Sequence, residues 1–280
     1  PPRTLSCSCM TLDVGAAFLI WFIWRLVTNK EKELTKKINL TDVGLTVRHT
    51  GGELSVLEGV DFHAFQDEIV TVIGPSGCGK STLLNIIAGL HDPDRGEVIV
   101  SVDGIDRTDA SCRLGSIGYM QQKDLLLPWR SLIDNVILGL EIRGVGRKEA
   151  RLEAAAQMAD FGLEGFENEF PYALSGGMRQ RAAFLRTMLM ETDVLLLDEP
   201  FSALDALNRA HLQTWLLDIL RGKKKTTVLV THDVDEAIFL SDRVCVMSPR
   251  PGRIYEVEHI PFERPRSRNL LTDPVYAEVK

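Results

Sequence analysis

Two short stretches hold the side chains best suited to chemistry. In Gly74-Pro75-Ser76-Gly77-Cys78-Gly79-Lys80-Ser81-Thr82, glycines leave room for backbone N–H groups to curl around an anion. A lysine and two hydroxyl residues follow, which is the spacing of a nucleotide phosphate-binding loop. Lys80 is expected to reach the β- and γ-phosphates, and the Ser81 hydroxyl to complete the coordination of Mg²⁺. Cys78 is read as a small loop residue whose thiol has no task. The second stretch, Val194-Leu195-Leu196-Leu197-Asp198-Glu199, is an apolar run ending in two carboxylates. That pattern suits a strand presenting Asp198 to Mg²⁺ through water and Glu199 to the water that attacks a phosphate.

These groups need elements to aim them. Glu68 to Ile73 is a β-branched apolar run, as in a strand buried on both faces of a parallel sheet. Leu83 to Leu90 reads as a helix, so its partially positive N-terminus would point at the bound anion. Further strands are expected over Thr226 to Thr231 and Arg243 to Met247. Between the two chemical stretches, Leu132 to Ile142 and Lys148 to Phe161 carry helical patterning, broken by Gly144 and Gly162. A phosphate loop alone would equally suit a kinase, a GTPase or a helicase.

Leu174-Ser175-Gly176-Gly177-Met178-Arg179-Gln180 decides among them, because it resembles the signature of the ATP-binding cassette (ABC) ATPases. Ser175 and the backbone at Gly176 and Gly177 would open a helix whose positive end can face a γ-phosphate. In that family the phosphate belongs to a nucleotide held by a partner subunit, so the resemblance implies two ATP molecules sandwiched between two copies of the chain. Other family motifs occur in order. Gln122 matches the Q-loop glutamine that senses Mg²⁺, Ser202-Ala203-Leu204-Asp205 resembles the D-loop that crosses between protomers, and His232 matches the switch histidine. The resemblance implies a P-loop ATPase α/β fold: a mostly parallel sheet, an N-terminal antiparallel β subdomain and an inserted helical subdomain at about 123–173. It also implies ATP and Mg²⁺ as ligands.

Many relatives stack adenine on an aromatic residue after the first strand, whereas Val47-Arg48-His49-Thr50-Gly51-Gly52 has no Phe, Tyr or Trp. His49 is the nearest candidate by position, as a stacking ring or as a plain loop residue. Two stretches resemble importer ATPases of the nitrate, sulfonate and taurine type: Leu127-Pro128-Trp129, and Ser248-Pro249-Arg250-Pro251-Gly252-Arg253-Ile254. Leu185-Arg186-Thr187 resembles the branch associated with thiamine-precursor pyrimidines. The implied partners are a second copy of the chain, integral-membrane permease subunits and, through them, a solute-binding protein. The implied place is the cytoplasmic face of the membrane.

Composition agrees with this setting. The chain has 280 residues, 45% hydrophobic and 25% charged, with a net charge of -7. Such acidity argues against a nucleic-acid partner, which requires cations to displace counterions from phosphates. Five scattered cysteines show no spacing of a zinc site or disulfide framework, so reduced thiols are expected. Residues 1–37 are expected to be an extension outside the working domain of 38–280. Its apolar run from Val14 to Trp24 is shorter than the roughly 20 residues a spanning helix needs, which leaves a core helix, an interfacial segment, a signal region or a single anchor, with Met10 a candidate initiator. After Pro261 to Arg268 no added regulatory domain is expected. Two rival classes share the cassette motifs: DNA-maintenance ATPases, with long coiled coils or zinc modules between them, and translation proteins with two cassettes in one chain. Thr82 to Leu174 is too short for a coiled-coil arm and lacks Cys-x-x-Cys.

Overall fold

The computed structural model describes residues 35–280, apart from 51, 203, 223, 224, 265, 267–275 and 277–279, and the side chains of His49, Ile219 and Arg221. The apolar run from Val14 to Trp24 therefore lies outside the described residues. Lys36 and Lys37 already belong to the first strand, and Lys37 pairs with Asp193 at 3.0 Å.

Two sheets organise the chain. The first contains β1 (Lys36–His49), β2 (Gly52–Phe65), β4 (Arg95–Val102) and β5 (Ile105–Arg107), all antiparallel in the order β2-β1-β4-β5. The second runs β10-β9-β3-β8-β7-β6, with β3 (Ile69–Ile73), β6 (Gly118–Met120), β7 (Val194–Asp198), β8 (Thr226–Val230) and β9 (Arg243–Met247) parallel. Only β10 (Ile254–His259) is antiparallel, at one edge. β7 and β8 are buried at every position, as strands covered on both faces must be. This is the expected α/β architecture, with an antiparallel sheet beside a mostly parallel one.

Helix α1 (Lys80–Ile87) follows β3 directly, and the short α2 (Ala110–Arg113) follows β5. The stretch of helical patterning from Leu132 to Ile142 forms two helices, α3 (Leu132–Val136) and α4 (Leu138–Ile142), meeting at Ile137. Buried Asn135 explains the tight start, because its amide donates to the carbonyls of Leu127, Arg130 and Ser131 and draws the preceding loop onto the helix. α5 (Arg147–Met158) comes next, and Gly144 and Gly162 lie at φ 87° and 59°, beyond the ends of α4 and α5. Then come α6 (Gly176–Met188), α7 (Ala206–Gly222) and α8 (Val234–Leu240).

One apolar cluster joins α3, α4 and α5 to α6, α7 and one face of the parallel sheet, through Leu132, Leu140, Met158, Phe184, Leu197 and Leu229 among others. The insert therefore shares its core with the sheet that carries the carboxylates. On the other face, α1 and the antiparallel sheet pack together through Leu83, Ile87, Val60, Val100 and Leu196. Arg243, only 3% exposed, ties the two sheets: it pairs with Glu68 at 2.9 Å and donates to the His63 carbonyl at 2.6 Å.

Candidate functional site

Every parallel strand ends on the same side, and part of the sequence-predicted set gathers there. β3 delivers the phosphate loop. Gly79 caps α1 with φ 114°, a region costly for residues with a Cβ, and a Cβ there would come within 2.6 Å of Leu57 Cδ2. Helix α1 thus begins immediately after the loop, at Lys80 rather than near Leu83, and its free N–H groups face the cradle. Lys80 is 8% exposed and folds back on the loop, donating to the carbonyls of Gly74 at 2.8 Å and Pro75 at 3.0 Å. Its Nζ lies 3.9 Å from Cys78 Sγ, and that thiol is buried.

Strand β7 ends in Asp198, which is 3% exposed. Burial pushes its carboxyl up and Glu199 adds repulsion, while a hydrogen bond from Ser81 and the charge of Lys80 oppose the shift. The structure therefore joins the end of β7 to the start of α1 through the Ser81–Asp198 pair. One hydroxyl and one buried carboxylate, open to phosphate oxygens, fit Mg²⁺, which favours few protein ligands and keeps its remaining places for phosphate and water. Among the described residues no cluster of three or more His, Cys, Asp or Glu could hold a metal ion.

Glu199 follows in a left-handed conformation, φ 48°, a type of strain that persists where neighbours over-determine the backbone. Its N–H donates to the Val230 carbonyl at 2.9 Å, and its carbonyl accepts from Ser202 Oγ at 3.0 Å and Gln180 Nε2 at 3.3 Å. Its carboxylate sits between two of the predicted groups: Gln122 Nε2 donates to Oε2 at 3.2 Å, and His232 Nδ1 is 3.4 Å from Oε1. Gln122, rather than its neighbour Gln121, makes this bond.

The remaining predicted residues lie apart. Ser175 is the N-cap of α6, accepting from the Met178 N–H at 3.3 Å, and Leu174 is buried while Ser175 and Gly176 are exposed. Among the described residues, no hydrogen bond or ion pair joins Leu174–Met178 to Gly74–Thr82. Asp205 caps α7, accepting from Leu207 N–H and Asn208 N–H at 3.1 Å each and from Asn208 Nδ2 at 2.5 Å. The Asn208 amide is the main reason its carboxyl is held below the usual range. His49 pairs through its backbone with Gly52, and its side chain lies outside the described residues. Beside it, a cleft of about 700 Å³ is lined by Val47, Arg48, Glu53, Thr82 and His91, among others.

Sequence reading missed Gln180, Thr231, Arg209 and Glu236. Glu236 is 7% exposed and accepts from Thr231 Oγ1 at 2.6 Å and Gln213 Nε2 at 3.0 Å, next to the His232 turn. Arg209 lies between it and Asp233, at 4.0 and 3.8 Å. Arg209 and Gln213 reach Glu236 from a separate helix, which no local pattern reveals, whereas Thr231 lies five positions from Glu236 and Gln180 closes the segment Leu174–Gln180.

A glycine-rich loop after a central strand, a buried carboxylate at the end of β7 and a second carboxylate beside Gln122 and His232 form the arrangement of a P-loop nucleotide hydrolase. The pattern of the ABC transporter family matches residues 57–202. The chain is 46% identical over 196 residues to the formylaminopyrimidine import ATP-binding protein ThiZ of Halalkalibacterium halodurans, covering 70% of this chain and 74% of that protein. It is 43% identical over 232 residues to the aliphatic sulfonates import ATP-binding protein SsuB of Bacillus cereus, covering 83% and 89%. It also resembles a dimeric post-hydrolysis state of the ATP-binding cassette MJ0796 bound to ADP and Pi, with TM-score 0.73 and 30% identity, covering 81% of this chain and 100% of that one. The chain belongs to the ABC transporter family as an ATP-binding subunit. It is an ATPase that uses ATP with Mg²⁺.

Proposed function

We propose that two copies of this chain close on two ATP molecules and drive a separate membrane permease that imports a small anionic or heterocyclic solute. The observation that carries the catalytic part is the grip of Gln122 and His232 on Glu199, beside the Ser81–Asp198 pair. Gly74 to Thr82 cradles the phosphates, with Lys80 leaving the Gly74 and Pro75 carbonyls for the β- and γ-phosphates. Ser81 and Asp198 would hold Mg²⁺, with Gln122, hydrogen-bonded to Glu199, as the expected further ligand; the bound ion would supply charge neutralisation to the phosphoryl oxygens. Glu199 orients the water and takes its proton, and His232 steadies the carboxylate and meets the γ-phosphate.

The N-terminus of α6, exposed at Ser175 and Gly176 and half-buried at Gly177 and Met178, is the part that a single chain leaves idle. A second copy's γ-phosphate would occupy it, with Asp205 at the seam between protomers. His49 is the nearest stacking partner for adenine, over the cleft lined by Val47 and Thr82. Among the described residues no helix is long and apolar enough to cross a membrane. The names of the relatives, an aliphatic sulfonate importer and a formylaminopyrimidine importer, support import and these solute classes, and with them attachment to the cytoplasmic face and a solute-binding protein outside.

Two measurements test the proposal. Ser175→Arg places a long cation where the opposing phosphate should sit, so light scattering is expected to show no ATP-dependent dimer. A normal dimer would refute the interface. Reconstitution with the permease that co-purifies with it should give ATP-driven uptake of an alkanesulfonate or a formylaminopyrimidine into vesicles, and a complex that moves neither class would refute the solute assignment.

A further inference from the structure

The stretch Ser248 to Arg253, noted in the sequence as a subgroup resemblance, has no part in the mechanism above. It forms the turn between β9 and β10. The turn closes on itself, with Ser248 N–H donating to the Arg253 carbonyl at 3.0 Å and Arg253 N–H to Ser248 Oγ at 3.1 Å. Gly252 lays the turn along β2: its N–H donates to the Val56 carbonyl at 2.8 Å, and its carbonyl accepts from Glu58 N–H at 3.1 Å. A Cβ on Gly252 would strike the Cys78 carbonyl, so only glycine lets the turn lie this close to the phosphate loop.

Arg250 completes the contact. Its Nε and Nη2 both donate to the Gly77 carbonyl, at 3.0 and 2.7 Å, across 173 positions of sequence. Among the described residues these are the side chain's only hydrogen bonds. Gly77 sits at φ 77°, a conformation glycine adopts as readily as others and therefore leaves freely. A two-pronged, charge-assisted grip on that oxygen fixes the plane of the Gly77–Cys78 peptide. A loop carbonyl that swung toward a bound phosphate would repel it, whereas N–H groups attract it.

We propose that Arg250 is a positioning residue for the nucleotide's phosphates: by holding the Gly77 carbonyl it keeps the phosphate loop set for binding before ATP arrives. It acts on binding and not on the cleavage step, because it touches neither Glu199 nor the groups around it. The proposal rests on the reading of Gly74 to Thr82 as the phosphate cradle.

Isothermal titration of MgADP into the full chain tests it, alongside steady-state ATP hydrolysis. Arg250→Ala should raise the MgADP Kd and the KM for ATP about tenfold, the usual scale for losing a charged hydrogen bond, with kcat at saturating ATP within about twofold. Arg250→Lys, a point charge without the fork, should fall between. Arg253→Ala is the control: it removes that residue's ion pair with Glu58, 2.9 Å, from the same turn and should leave Kd within about twofold. If Arg250→Ala is insoluble, Arg250→Lys and Arg250→Gln carry the measurement. An Arg250 series that binds like wild type overturns the proposal, as does an Arg253→Ala loss of equal size, which would reduce the effect to turn stability. Lys80→Ala separates the two levels: if it loses MgADP while the Arg250 variants do not, only this inference fails, and if it too binds normally, the cradle reading fails with it.

Discussion

Replacing Glu199 with Gln should separate binding from cleavage. The backbone at this position is held independently of the side chain's charge, by the Val230 carbonyl, Ser202 and Gln180. The carboxylate itself has two neighbours, Gln122 at 3.2 Å and His232 at 3.4 Å. Glutamine has the same length and can still offer an oxygen to one of them, so the fold and the cradle at Gly74 to Thr82 should persist. What disappears is the base. A positioned base contributes about 10²- to 10⁴-fold, which corresponds to roughly 2.7–5.4 kcal/mol at 1.36 kcal/mol per tenfold. Phosphate release at saturating ATP should therefore fall by about that factor, while ATP affinity stays within about threefold. ATP-dependent dimers, seen by light scattering, should outlive those of the wild type because the glue is no longer consumed. Turnover within about threefold of wild type would remove Glu199 from the mechanism, and a matching loss of ATP affinity would move its role from cleavage to binding.

Three further outcomes are expected. His49→Ala should raise the Kd for ATP by about two- to tenfold, the worth of one aromatic contact, and an unchanged Kd by fluorescence titration would return His49 to a plain loop residue. Arg243→Ala breaks a buried pair with Glu68 and strands that carboxylate, at a cost of about 3–5 kcal/mol; thermal unfolding should move down by roughly 6–20 °C, and an unshifted Tm would deny Arg243 its tie between the sheets. The His63 ring is held neutral, its pKa lowered to about 4 by burial first and then by the Arg243 charge. The unfolded chain takes up that proton near pH 6.5, so stability present above pH 6.5 should drain away as pH falls toward about 4. Urea unfolding across that range should be flatter in His63→Gln, and equal slopes would refute the assignment.

The cradle and the carboxylates were legible because their chemistry is local. Backbone N–H groups can wrap a phosphate only where glycines are closely spaced, and Lys80, Ser81, Asp198 and Glu199 sit at fixed offsets from strands whose apolar runs announce themselves. Strand β9 came out at Arg243 to Met247 as read, since a run buried on both faces has a one-letter signature of β-branched and apolar residues. Element ends were less legible. Helix α1 begins at Lys80, three residues before the apolar pattern starts, because Gly79 and not a side-chain cap opens it. Asn135, reaching back to the Leu127 carbonyl, draws the preceding loop onto the start of α3, which periodicity does not register.

By itself, then, the order of residues determined which groups could meet a phosphate, a metal ion and a water, and which strands would present them. Only the tertiary structure decided what holds those groups in place: Gln122 on Glu199, with His232 beside it, Ser81 on Asp198, and Arg250 on Gly77 from the far end of the chain. The physical reason is that a cradle or a carboxylate is a property of a few adjacent residues, whereas its support is a hydrogen bond between elements that only the sheet order brings side by side.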